Sequence, residues 1–68
     1  MKFTIECEQE EDGCWLAEVI ELPGVLGYGR TPEEAMSRVQ ALGLRVPADR
    51  IEHGEETPDL LSISFAAA

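Results

Sequence analysis

The order of apolar patterns along this 68-residue chain predicts an α+β fold, β-β-β-α-β, with a four-stranded mixed sheet and one helix packed on one of its faces. Three observations predict it. Lys2 to Gln9 alternates apolar and polar residues, as a half-buried strand does. Glu10-Glu11-Asp12-Gly13 then reads as a turn before a second apolar segment, which makes a hairpin. Further on, Thr31-Pro32-Glu33-Glu34 opens a run of apolar residues at helical spacing.

In the first strand, Phe3, Ile5 and Cys7 fall on one side and Thr4, Glu6 and Glu8 on the other. The second strand runs from Cys14 to Leu22. Two registers compete. A two-residue turn on Asp12-Gly13 pairs Cys7 with Glu18 and sets the glutamates of the first strand beside Trp15, Ala17 and Val19. A three-residue loop, Glu11-Asp12-Gly13 with Gly13 left-handed, pairs Ile5 with Val19 and Cys7 with Ala17. A slip of one residue turns a whole strand over, so burial selects the second register. The core face is then Phe3, Ile5, Cys7, Trp15, Ala17 and Val19, and the opposite face carries Thr4, Glu6, Glu8, Leu16, Glu18 and Ile20.

Leu22-Pro23-Gly24 is a second turn, and Val25 to Arg30 a short third strand. Gly27 and Gly29 weaken that strand or mark the close approach of another backbone. Thr31 caps the helix, Pro32 suits its first position, and Glu34 completes a capping box. Ala35, Met36, Val39, Leu42 and Val46 form its apolar stripe. Pro47 is expected to kink or end the helix, with a helical path resuming from Ala48 towards His53 and Gly54 as C-terminal cap. Glu55 to Pro58 reads as a polar link. Leu60 to Phe65 reads as the last strand, with Leu61, Ile63 and Phe65 facing in, Ser62 and Ser64 facing out, and the alanine tail frayed. A meander followed by a helical crossover sets the last strand parallel to the first, in sheet order 3-2-1-4.

A chain of this length reads as one domain, residues 1–68, and is marginal alone, so a partner or a homodimer or higher homo-oligomer is expected. The net charge is −9, from 14 acidic residues against 5 Lys and Arg. That excludes the clustered basic surface that nucleic acids and anionic membranes require. A basic protein is the natural complement, because opposite fields speed encounter, although the same acidity also keeps a small domain soluble. No apolar run approaches membrane-spanning length, and the alternating start is unlike a signal peptide. Cys7 and Cys14 fit no metal or redox spacing and point to opposite sheet faces. The cytoplasm is the expected compartment.

The run Glu10-Glu11-Asp12-Gly13, Trp15-Leu16-Ala17, Glu21-Leu22-Pro23-Gly24 and Gly29-Arg30-Thr31-Pro32-Glu33-Glu34-Ala35 resembles HicB-like antitoxin domains, over about residues 2 to 46. Arg30 stands where that family usually has Asp. The resemblance implies a partial ribonuclease H-like fold. It also implies binding of a HicA-type toxin, a small basic ribonuclease. The DNA-binding module carried C-terminally by many such antitoxins would begin where this sequence stops, so operator binding is not expected.

No catalytic, cofactor or metal site is expected. Glu6, Glu8 and Glu18 share a strand face but read as solvated carboxylates rather than as ligands of two metal ions. His53 has no nucleophile paired with it by local pattern and reads as a residue of the last helical turn. The candidate interface is instead Glu10, Glu11 and Asp12 of the acidic turn with Leu16, Glu18 and Ile20 on the uncovered face, since apolar side chains rimmed by charge mark interfaces. Tyr28 joins them if the third strand turns that side outward.

Overall fold

The computed structural model describes residues 1–54 and 62–68. Its elements are β1 (Lys2–Gln9), β2 (Trp15–Val19), β3 (Leu26–Gly29), α1 (Pro32–Glu52) and β4 (Ser64–Ala67). They form a four-stranded sheet in the order β3-β2-β1-β4. β1 and β2 are antiparallel, as are β2 and β3, and β4 runs parallel to β1. The sheet is therefore mixed and ordered as the sequence predicts, with α1 on one face.

The hairpin takes the three-residue loop. Ile5 opposes Val19 and Cys7 opposes Ala17. The Gly13 N–H donates to the Glu10 carbonyl at 3.0 Å, and Gly13 has φ +90°. Asp12 fixes this turn, its carboxylate accepting the Cys14 N–H at 2.9 Å. All six residues assigned to the core face contribute: Phe3, Ile5, Ala17 and Val19 are buried, while Cys7 and Trp15 pack against them partly buried. Cys7 and Cys14 are free thiols.

β2 ends at Val19, three residues short of the expected Leu22. The chain turns there, the Leu22 N–H donating back to the Val19 carbonyl at 3.1 Å, and Leu22 drops into the core. β3 is likewise trimmed, to Leu26–Gly29. Its glycines mark a close approach. A Cβ on Gly27 would lie 2.9 Å from the Val39 nitrogen, and one on Gly29 2.5 Å from the Ala35 nitrogen. The helix backbone thus rests on the glycines, which fixes Gly27 and Gly29 inward and Leu26 and Tyr28 outward.

Thr31 caps α1, its hydroxyl accepting the Glu34 N–H at 3.1 Å. Two expectations for the helix are corrected. Pro47 does not end it: α1 runs to Glu52, so the helical path expected beyond Pro47 belongs to the same helix. Pro47 is fully buried, and burial of its ring offsets the backbone hydrogen bond it cannot make. The residue four positions earlier, where a proline ring crowds the helix, is Gly43. Leu42, expected in the core, is 38% exposed. The buried strip is Ala35, Val39, Gly43 and Pro47, every fourth residue, and Gly43 leaves room for the Phe65 ring. His53 is the C-cap, and Gly54 follows with φ +70°.

The last strand lies later than expected. Ser64–Ala67 pairs with Lys2–Ile5, so Ala66 and Ala67 are laddered rather than frayed, and the Ala68 N–H donates to the Ile5 carbonyl at 2.9 Å. In this register Phe65 opposes Phe3, the two rings tilted with centroids 5.5 Å apart, a favourable aromatic contact. Ile63, expected to face inward, precedes the strand and is 37% exposed. The link Glu55–Pro58, together with Leu60 and Leu61, lies outside the described residues.

Candidate functional site

Because α1 covers one face of the sheet, alternation along β1, β2 and β3 delivers every second residue to the other. The pairing fixes the rows on this open face. Glu8 lies opposite Leu16, and Leu16 opposite Tyr28. In the next row Glu6 lies opposite Glu18, and Glu18 opposite Leu26. Ile20 follows just beyond the end of β2, its N–H donating to the Thr4 carbonyl at 2.9 Å.

Two halves result. The β1 side is acidic, with Glu6 and Glu8, and Glu18 at the border. The β3 side is apolar, with Tyr28 55% exposed and Leu26 40% and Leu16 half-buried between Glu8 and Tyr28, while Ile20, 48% exposed, lies beyond the end of β2. A recess of about 320 Å³ opens on the acidic half, lined by Glu6, Cys7, Glu8, Leu16, Glu18 and Ala68. Glu6 and Glu18 face each other directly across the ladder, and like charges so placed destabilise a sheet.

The acidic turn borders this face. Glu10, Glu11 and Asp12 line a shallow recess together with Tyr28. All seven interface candidates, Glu10, Glu11, Asp12, Leu16, Glu18, Ile20 and Tyr28, therefore lie along one side of the molecule, but they are not equivalent. Glu10 and Leu16 are half-buried, whereas Glu11, Asp12, Glu18, Ile20 and Tyr28 are exposed, Asp12 with its carboxylate bound to the Cys14 N–H. Leu26 belongs to the face and was missed. The signal for it lay in Gly27 and Gly29: once the glycines are assigned to the helix side, Leu26 must face out. Glu6 and Glu8, which the sequence places on the uncovered face as solvated carboxylates, belong to the same surface. Among the described residues no group of three or more His, Cys, Asp or Glu is placed to hold a metal ion.

Glu21 closes one end of the face. Its carboxylate accepts the Thr4 N–H at 2.7 Å and the Thr4 hydroxyl at 2.8 Å. Those bonds, the backbone one foremost, stabilise the ionised form and hold the Glu21 carboxyl below its ordinary value. At the far edge, Arg38 reaches from α1 to the Tyr28 carbonyl at 2.9 Å and pairs with Glu34 at 3.0 Å. His53 sits at the helix end, its Nδ1 2.7 Å from the Asp49 carbonyl oxygen. Among the described residues, no helix is long and apolar enough to cross a membrane.

Compared with family models, with curated proteins and with solved structures, the chain matches none. The likeness to HicB-type domains therefore rests on the residues quoted above.

Proposed function

We propose that this protein is a non-catalytic protein-binding module of the HicB-like antitoxin kind, acting in the cytoplasm on a small basic ribonuclease of the HicA type. The observation that carries the reading is the open sheet face, with Glu6 and Glu18 opposed at its centre and apolar side chains beside them. Opposed carboxylates cost stability in the free protein, and a cationic partner relieves that cost. The net charge of −9 adds long-range attraction for the same class of partner.

The test is a search for a small basic protein encoded beside this one, whose absence defeats the antitoxin reading, followed by co-expression, co-purification and a ribonuclease assay. A stable complex in which RNA cleavage is suppressed is expected. A neighbouring basic toxin that neither binds nor is neutralised defeats the antitoxin reading. Charge reversal at Glu10, Glu11 and Asp12 tests the acidic turn separately, and should slow association more than it speeds dissociation.

A second reading is a homo-oligomer without a toxin. It is favoured by the exposure of Ile20, Leu26 and Tyr28, which a second copy would cover. Light scattering at micromolar concentration separates the two: an oligomer without partner supports this reading, and monomer alone counts against it.

A further inference from the structure

The open face has not only a composition but an arrangement. Passing from β1 to β3 along one row, the side chains are Glu8, Leu16 and Tyr28; along the next they are Glu6, Glu18 and Leu26. Acidic and apolar stripes thus run side by side along the strands. Two strand spacings separate β1 from β3, or about 10 Å. A helix with its side chains is about 10–12 Å across, so one helix lying along β2 spans both stripes. The other face already accepts such a layer, since α1 covers β2 and β3 there.

We propose that the open face takes an amphipathic basic helix of the partner, its apolar side chains over Leu26 and Tyr28 and its Arg or Lys side chains over Glu6, Glu8 and Glu18. Docking completes a three-layer α/β/α sandwich. Charge complementarity selects the occupant. A second copy of this chain carries the same −9 charge, and a pairing that joins the two apolar stripes also brings glutamate towards glutamate, while the reversed pairing buries glutamate against apolar side chains. A basic helix supplies cations for the one stripe and hydrocarbon for the other. Arginine suits the border at Glu18, where its stem crosses apolar surface while its guanidinium meets a carboxylate. The inference rests on the protein-binding reading and specifies which surface and which partner element carry it.

The experiment titrates three synthetic helical peptides into the isotopically labelled full chain and follows backbone amides by NMR. The first carries a leucine stripe flanked by an arginine stripe. The second has the same composition with the stripes interleaved. The third has glutamate in place of arginine. The first should bind about tenfold more tightly than the second, shifting the amides of Glu6, Glu18, Leu26 and Tyr28, and the third should not bind. Tyr28→Ser, at an exposed position, should weaken the first peptide while leaving the fold intact. Equal binding of the first two peptides, or shifts confined to α1, overturns the two-stripe arrangement and leaves a basic partner standing. Failure of both cationic peptides to bind overturns the arrangement and the basic-partner reading together. If the same amides shift when the protein alone is concentrated, the face belongs to a second copy and the proposal falls.

Discussion

The two faces of the sheet come from the same strands, residue by residue in alternation, yet they are built for different ends. On the covered face, Ile5, Ala17 and Val19 are buried beneath a helix close enough that Gly27 and Gly29 have no room for a side chain. On the open face, Glu6 and Glu18 oppose each other and Leu26 and Tyr28 stand exposed. The first arrangement minimises free energy within the chain. The second leaves free energy to be gained from outside it. Under the proposed function, stability resides in the covered face and binding in the open one, and mutation can separate the two.

The sharpest way to break that separation is on the covered face. Ile5→Ala removes a side chain that is only 2% exposed and should cost about 3 kcal/mol in urea unfolding. Gly29→Ala adds one methyl group against the Ala35 nitrogen and should cost about 2 kcal/mol, because backbone rather than a flexible side chain must yield. A loss below about 0.5 kcal/mol in either variant, no more than an ordinary surface change, contradicts the assigned core. On the open face, Leu26→Ser should change stability by less than about 0.5 kcal/mol while weakening partner binding about tenfold. A Leu26→Ser variant that unfolds readily would place this residue in the core after all.

A smaller effect tests the clamp that ends the face. Thr4 lowers the Glu21 pKa in the folded state, so the clamp contributes stability above the ordinary carboxylate value of 4.5. That contribution is lost as the pH falls through the lower, folded value. Acidification from neutral pH should therefore narrow the difference in urea midpoint between the wild type and Glu21→Gln. A constant difference across that range contradicts the clamp.

Much of the covered face was legible in the sequence, because burial acts there on strong signals. Only one hairpin register puts Phe3, Ile5 and Cys7 on the same side as Trp15, Ala17 and Val19, and Thr31-Pro32-Glu33-Glu34 leaves little choice for the helix start. What escaped depends on contacts distant in sequence. Alanines have no strand signature of their own, and Ala66 and Ala67 are laddered in the register that sets Phe65 opposite Phe3. Pro47 reads locally as a helix breaker, and its burial within the helix is set by tertiary packing that local sequence does not show. Leu42 outranks Gly43 on any hydrophobic scale, but the Phe65 ring needs the room that glycine leaves. The open face was half legible: Leu16, Glu18 and Ile20 followed from the register, whereas Leu26 waited on the facing of β3.

The proposed role of the open-face carboxylates, binding at the expense of stability, is tested in one variant by Glu18→Lys. The substitution turns the opposed Glu6–Glu18 pair into an attractive one on an exposed surface. Its urea midpoint and its affinity for a basic partner should move in opposite directions. Stability should rise by about 0.5 kcal/mol, while binding falls about tenfold or more. Unchanged binding, or a loss of binding matched by a loss of stability, would contradict the account.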